Sequence, residues 1–312
     1  MAGPWAGPRS RPVNRLRGLA VGDALGATTE FLTPREIRQY HKVHRDIVGG
    51  GWLHLAPGAV TDDTEMSLAL GRSIIDRRRV DAVSIAEAFS AWMRSKPVDI
   101  GNTVRRGIVH YRSTGRPKID QNEQSAGNGA CMRCLPVALA YCRAPVEQLV
   151  SAVHVQSHVT HNAPLSDAGT DTVVKMVVAA LQGGGRRSMR QIADALVSGF
   201  PAFRYDGRRV ENPSGWIVDT LRAVFQALFS TSGFEEALVD VVNRGGDSDT
   251  TGAIAGMLAG ALYGREAIPL RWSNALDTAV RQECEQQAIS LVALANGGVQ
   301  PVIEGTGISN HG

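Results

Sequence analysis

Two short acidic clusters carry most of the chemistry available to this sequence. One is Thr61-Asp62-Asp63-Thr64-Glu65 and the other is Asp247-Ser248-Asp249-Thr250-Thr251, and each directly precedes a stretch with helical apolar spacing. Helix capping would account for one carboxylate and one hydroxyl at each place, because Asp and Thr oxygens accept the free N–H groups of a first turn. It does not account for two carboxylates each time, since crowded like charges raise one another's pKa. A cation shared between the clusters would remove the conflict. Asp62, Asp63, Asp247 and Asp249 bring negative charge, Thr61 and Thr250 bring neutral hydroxyl oxygens, and two divalent cations would neutralise the set. All-oxygen ligation suits Mg²⁺ or Mn²⁺ better than zinc. Paired ions of this kind can clamp a substrate oxygen while activating water.

Further polar residues extend the list. Asp23, in Gly22-Asp23-Ala24-Leu25-Gly26, reads first as a hydrogen-bonding residue of the opening helix. Glu30 precedes Phe31-Leu32-Thr33-Pro34, a loop start from which a side chain can reach a cleft. His154, His158 and His161 would share a face if one helix ran through them, but Val155 stands where the zinc motif HExxH needs glutamate. Cys131 and Cys134 form a CxxC without a second pair, so the four cysteines are expected as buried reduced thiols, which suits a cytoplasmic protein.

The elements that must position these residues are helical. Met66, Leu70, Ile74 and Ile75 fall at helical intervals, as do Val173, Met176, Val177 and Ala180, and Ile217, Leu221, Val224 and Leu228. Gly49-Gly50-Gly51, Gly183-Gly184-Gly185 and Asn243 to Gly246 mark loops. The spacing predicts one all-α domain over 13–295, a disordered lead-in over 1–12 and a flexible tail over 296–312. Gly252, Gly256, Gly260 and Gly264 recur every fourth residue and would line one face of a helix. Each glycine costs a helix about 1 kcal/mol relative to alanine, so a central helix in very close contact with a neighbour is expected.

Composition excludes several classes. With 33 Lys plus Arg against 30 Asp plus Glu in 312 residues, the net charge of +3 is too small for a dedicated nucleic-acid binder. No apolar run approaches the roughly 18 residues of a membrane span. The opening MAGPWAGPRSRPVNR lacks the apolar core of a signal peptide.

In order along the chain, GDALGATTEF, TDDTE, SAGNGACMRCLP, SHVTHNAPLSDA and RGGDSDTTGAIAGMLAGALYG resemble the blocks of the ADP-ribosylglycohydrolase family, over about Arg15 to Ala295. They look most like its bacterial branch of dinitrogenase-reductase-activating glycohydrolases. The resemblance implies an all-α domain with a dinuclear Mn²⁺ or Mg²⁺ site in a central cleft, hydrolysing a glycosidic bond of ADP-ribose. By motif, Thr61, Asp62, Asp63, Asp247, Asp249 and Thr250 would be metal ligands, with Asp249 bridging. Glu30 would orient or deprotonate water, with a metal-ligating Asp such as Asp62 or Asp249 as the other catalytic group. Asp99 and Asn102 would face the arginine end of the substrate. Gly127, Asn128 and Gly129 would approach the diphosphate or ribose, or else form a plain turn. His158 and His161 would line the cleft, and Trp216 would either stack on adenine or anchor its helix.

The implied substrate is a protein ADP-ribosylated on arginine, such as the nitrogenase iron protein. Implied partners are a PII-type signalling protein and an ammonium channel, with peripheral membrane association through them. A family member acting on serine-linked or O-acetyl ADP-ribose, an unrelated two-metal phosphohydrolase and an inactive ADP-ribose reader are the competing readings. The presence of all six ligand positions speaks against the last.

Overall fold

The computed structural model describes residues 13–305. The expected lead-in over 1–12 lies outside the described residues, as do 306–312 of the expected tail. Helices α1 (Val13–Gly26), α2 (Pro34–His41), α3 (Asp62–Arg77), α4 (Ala82–Arg94) and α5 (Asn102–Thr114) form the first part of the chain. Two short helices follow, α6 (Gly129–Met132) and α7 (Leu135–Ala140), then α8 (Val146–His158), α9 (Pro164–Leu181) and α10 (Arg186–Gly199). The remainder is α11 (Ile217–Ser230), α12 (Phe234–Val242), α13 (Ser248–Tyr263), α14 (Leu270–Ala275) and α15 (Thr278–Gly297). Among the described residues, extended pairing is confined to isolated bridges such as Gly127 with Trp216 and Asp81 with Ile303. The fold is all-α, as the periodicity predicts.

Helix α13 is the centre of the molecule. Every residue from Ser248 to Ala261 is buried, so this helix is enclosed on all sides rather than amphipathic, and it is apolar beyond its first turn. It lies against α1 backbone to backbone. A Cβ at Gly22 would sit 2.0 Å from the Gly252 carbonyl oxygen, and one at Gly256 would sit 2.0 Å from that of Gly18. The expected glycine face therefore meets a second one, formed by Gly18, Gly22 and Gly26. Gly264 departs from the expectation: at φ +79° it caps the helix end and has nothing within 4 Å of its Cβ position. Leu19, Leu25, Met66, Leu70, Met257 and Leu258 belong to the single core that surrounds the seam.

The chain end also departs from expectation. Helix α15 runs to Gly297, and the segment after it returns across α3 and α4. There the Gln300 N–H donates to the Arg78 carbonyl, and the Ile303 N–H to that of Val80. Residues 296 and 297 thus extend α15, and Gln300 and Ile303 are hydrogen-bonded to the segment between α3 and α4. The four cysteines are buried free thiols, as expected. Among the described residues, no helix is long and apolar enough to cross a membrane.

Candidate functional site

The two acidic clusters open α3 and α13, yet neither helix takes a side-chain cap from its own N-cap residue, Thr61 or Asp247. The cap of α3 comes from another helix. Asp23 on α1 is fully buried and accepts the N–H groups of Thr61 at 3.0 Å and Thr64 at 3.1 Å, together with both threonine hydroxyls. Asp23 thus works across space, not within its own helix as its sequence context suggests. With the cap of α3 supplied by α1, the carboxylates of Asp62 and Asp63 are left for other work.

Loop contacts bring the second cluster to Glu30. The Phe31 N–H donates to the Gly246 carbonyl at 2.8 Å, and the Asp247 N–H to that of Pro213 at 2.9 Å. Gly245 and Gly246 have φ of +70° and +65°, and a Cβ on Gly246 would lie 2.2 Å from the Pro213 oxygen. Only glycine allows three backbone segments to close here. Carboxylate oxygens of Glu30, Asp247 and Asp249 then fall within 4.8 Å of one another.

These groups line one cleft of about 610 Å³, whose walls include Glu30, Asp62, Asp99, Asn102, Asp247, Asp249 and Thr250. Gly127, Asn128, Gly129 and His161 line it as well. Thr61 and Asp63 lie behind this wall: the Thr61 hydroxyl donates to Asp23, and Asp63 Oδ2 accepts the Thr250 hydroxyl at 3.2 Å. Asp99 accepts its neighbour's Ile100 N–H at 2.7 Å. Asn128 does more than shape a turn, because its amide donates to Asp247 Oδ2 at 2.6 Å and to the Thr220 hydroxyl at 2.9 Å.

Burial and repulsion among the carboxylates set the electrostatics. Desolvation, then the carboxylates of Asp99 and Asp23, pushes Asp62 up to about 8. Desolvation also raises Glu30 to about 8 against the hydrogen bond from Trp52, with Asp247, Asp99 and Asp62 adding repulsion. Asp63 and Asp249 are held well above the usual carboxylate range by burial and by their acidic neighbours. Asp63 Oδ1 is buried with no hydrogen-bond partner. An orphaned carboxylate oxygen inside a group of hard oxygen donors fits a divalent cation.

Two expected residues stand elsewhere. His158 does not reach the cleft: its Nε2 bonds Asp167 at 3.0 Å, its ring stacks on His154 at 5.5 Å, and it lines a separate groove with Lys118 and Glu147. Helix α8 ends at His158, so the helical spacing that groups the three histidines stops there, and the turn that follows sends His161 to the opposite side. Trp216 is the N-cap of α11 and is 42% exposed, which rules out a buried anchor. It is not in the cleft wall but follows Ser214 and Gly215, which are.

One participant was not signalled by the sequence. The Trp52 indole N–H donates to Glu30 Oε2 at 2.6 Å, and its ring packs on Phe31 at 5.3 Å. A tryptophan after three glycines in a loop was the available signal, but nothing in the local spacing ties it to Glu30.

An all-α domain with a carboxylate-lined cleft at the N-termini of two buried helices defines the class. The ADP-ribosylglycohydrolase pattern matches residues 5–300, and the chain belongs to that family. Among its relatives is the ADP-ribosyl-[dinitrogen reductase] glycohydrolase of Rhodospirillum rubrum, 47% identical over 95% of this chain and 99% of that protein. The ADP-ribosylarginine hydrolase Tri1 of Serratia proteamaculans is 34% identical over 86% of this chain and 75% of that protein. A solved structure described as an ADP-ribosylglycohydrolase-related protein complex superposes with a TM-score of 0.82 at 34% identity, covering 92% of this chain and 98% of that one.

Proposed function

We propose that this protein is a hydrolase that removes ADP-ribose from ADP-ribosylated arginine, with dinitrogenase reductase as its target protein. The observation that carries this reading is the cleft itself. It gathers Glu30, Asp62, Asp247, Asp249 and Thr250 in a chain whose relatives are named for this reaction. Asp62, Asp63, Asp247 and Asp249, with the hydroxyls of Thr61 and Thr250 and with Glu30 beside them, would hold two divalent cations. Mn²⁺ and Mg²⁺ both suit such oxygen donors. Cations bound there would supply positive charge that offsets the buried carboxylates and polarises a substrate oxygen.

The remaining steps belong to side chains. Cleaving a ribosyl–guanidine bond builds positive charge at the anomeric carbon. Glu30 takes the proton of the attacking water on Oε1, because Trp52 occupies Oε2. Asp99, about half-buried at the cleft wall, pairs with the guanidinium of the leaving arginine. Asn102, at the start of α5 in the same wall, accepts alongside it through its side-chain oxygen. The backbone of Gly127 and Gly129 faces the diphosphate and ribose from the cleft wall, and Trp216 offers a half-exposed ring beside Gly215 for the adenine.

The test is release of ADP-ribose from arginine-modified dinitrogenase reductase, with Mn²⁺, Mg²⁺ or chelator, beside the same assay on a serine-linked substrate. Cation-dependent release from arginine alone is the expected result. Release only from serine would retain the fold and discard the substrate; binding of ADP-ribose without release would make the protein a reader.

A further inference from the structure

Arg133 on the α6–α7 turn is a fully buried cation whose hydrogen bonds go to neutral groups. Nε donates to Gln156 Oε1 at 3.1 Å, and Nη2 donates to the Gln156 carbonyl at 3.0 Å and to Thr160 Oγ1 at 2.8 Å. The guanidinium lies 4.4 Å from the centre of the Phe89 ring. On the far side of Thr160 stands His161, with Nδ1 2.8 Å from the same hydroxyl oxygen.

We infer that Arg133 and Thr160 are positioning residues that lock His161 in the tautomer carrying its proton on Nε2, so that the cleft is given one fixed N–H donor. A guanidinium can only donate, so the Thr160 oxygen accepts from Nη2. The hydroxyl hydrogen then has His161 Nδ1 as its acceptor. A proton on Nδ1 would instead aim two N–H groups at one oxygen and strand the hydroxyl hydrogen where Thr160 is 0% exposed, an arrangement buried polar groups avoid. The direction of the chain is therefore set at its buried end.

Nε2 is the free end. It has no hydrogen-bond partner among the described residues, and it reaches the cleft through the gap between two glycines. A Cβ at Gly127 would lie 3.1 Å from Nε2, and one at Gly129 would lie 2.7 Å from Cε1. Burial, and then the charges of Arg133 and Arg106, hold the imidazole well below its usual range, which keeps this donor uncharged. A neutral donor of fixed direction suits an acceptor oxygen of the bound nucleotide sugar; that ligand rests on the function proposed above.

The experiment uses the full chain with ¹⁵N-labelled histidine in Mg²⁺-containing buffer. Long-range ¹H–¹⁵N spectra report the tautomer of each ring, and the His161 signal is identified by its loss in His161→Gln. The expected wild-type ring has an unprotonated Nδ1 and a protonated Nε2. Thr160→Val removes the hydroxyl at nearly equal volume; it should mix the tautomers, weaken ADP-ribose binding about tenfold and raise KM while leaving kcat within about twofold. Thr160→Ser should restore both spectrum and affinity. A wild-type ring protonated on Nδ1 overturns the inference, even if Thr160→Val does not fold. So does a Thr160→Val spectrum identical to wild type, or an altered tautomer with unaltered affinity. A wild-type chain that binds no ADP-ribose defeats the functional proposal instead, and the spectra alone then judge the lock.

Discussion

Asp249 carries opposite obligations to stability and to activity. Burial raises its pKa most, and the neighbouring carboxylates of Glu30, Asp63 and Asp247 raise it further. Asp249→Asn removes one ionisable carboxyl from that crowd at equal size. The variant is expected to melt higher than wild type in chelator and to lose more activity than the roughly 100-fold that an outer-shell residue costs. Paired melting and ADP-ribose release assays check both halves, and a variant that melts lower in chelator would show that repulsion is not what the site stores. Trp52 acts one step back. Trp52→Phe keeps the ring contact with Phe31 but deletes the N–H that holds Glu30 Oε2. The expected loss is roughly tenfold in kcat with KM little changed, measured by steady-state kinetics.

At the scale of elements, the decisive contact is α1 against α13. Each glycine on the seam gives up about 1 kcal/mol of helix propensity, and the return is a backbone-to-backbone approach that fixes Asp23 under α3 and Asp249 at the start of α13. Gly22→Ala would place its Cβ 2.0 Å from the Gly252 carbonyl oxygen, which belongs to a buried backbone that cannot swing aside. The expected cost is about 3 kcal/mol or more, read from denaturant unfolding, with activity lost together with the fold. Gly199→Ala at the end of α10 meets nothing within 4 Å, and it should stabilise by roughly 0.5–1 kcal/mol. Equal effects at the two positions would refute the close-approach account. The sequence made this seam half legible: the four-residue spacing on α13 is visible along the chain, whereas its pairing with Gly18, Gly22 and Gly26 requires the two helices to be side by side.

For the whole molecule, the acidic cleft couples folding to pH and to cations. Asp62 and Glu30 are each raised to about 8 in the folded chain without cations. A carboxyl raised on folding contributes stability that is complete below its unfolded pKa of about 4 and is lost as pH rises through its folded value. The chelated protein should therefore lose this contribution between pH 4 and about 8. Added Mn²⁺ or Mg²⁺ replaces the departing protons, so the melting difference between loaded and chelated protein should widen from pH 6 to pH 8. A difference that is flat across that range would remove the carboxylates as the cause. His44 works in the other direction. Burial pushes it down to about 4, against the hydrogen bond between Nε2 and the Leu25 carbonyl. A histidine depressed on folding contributes stability above its unfolded pKa of about 6.5 and loses it as pH falls toward 4. Loaded protein should therefore lose up to about 3 kcal/mol from this residue over that interval. A His44→Gln variant, which keeps a donor for the Leu25 carbonyl, should show a shallower acid limb.

Residue type and local spacing by themselves determined the helices, the paired carboxylates that open two of them, and the oxygen-rich chemistry of Asp62, Asp63, Asp247 and Asp249. Those properties depend on neighbours three or four positions away, where sequence distance and spatial distance agree. Tertiary structure alone decided which of His158 and His161 faces the cleft, because α8 stops at His158 and the chain turns before His161. It also decided that Asp23 caps α3, 38 residues away, and that Trp52 holds Glu30 across 22. The Arg133–Thr160–His161 chain has the same origin, since its guanidinium reaches Thr160 across 27 residues. Such contacts form when packed helices bring separated segments together, and burial then requires each polar group to find a partner in whatever segment has arrived.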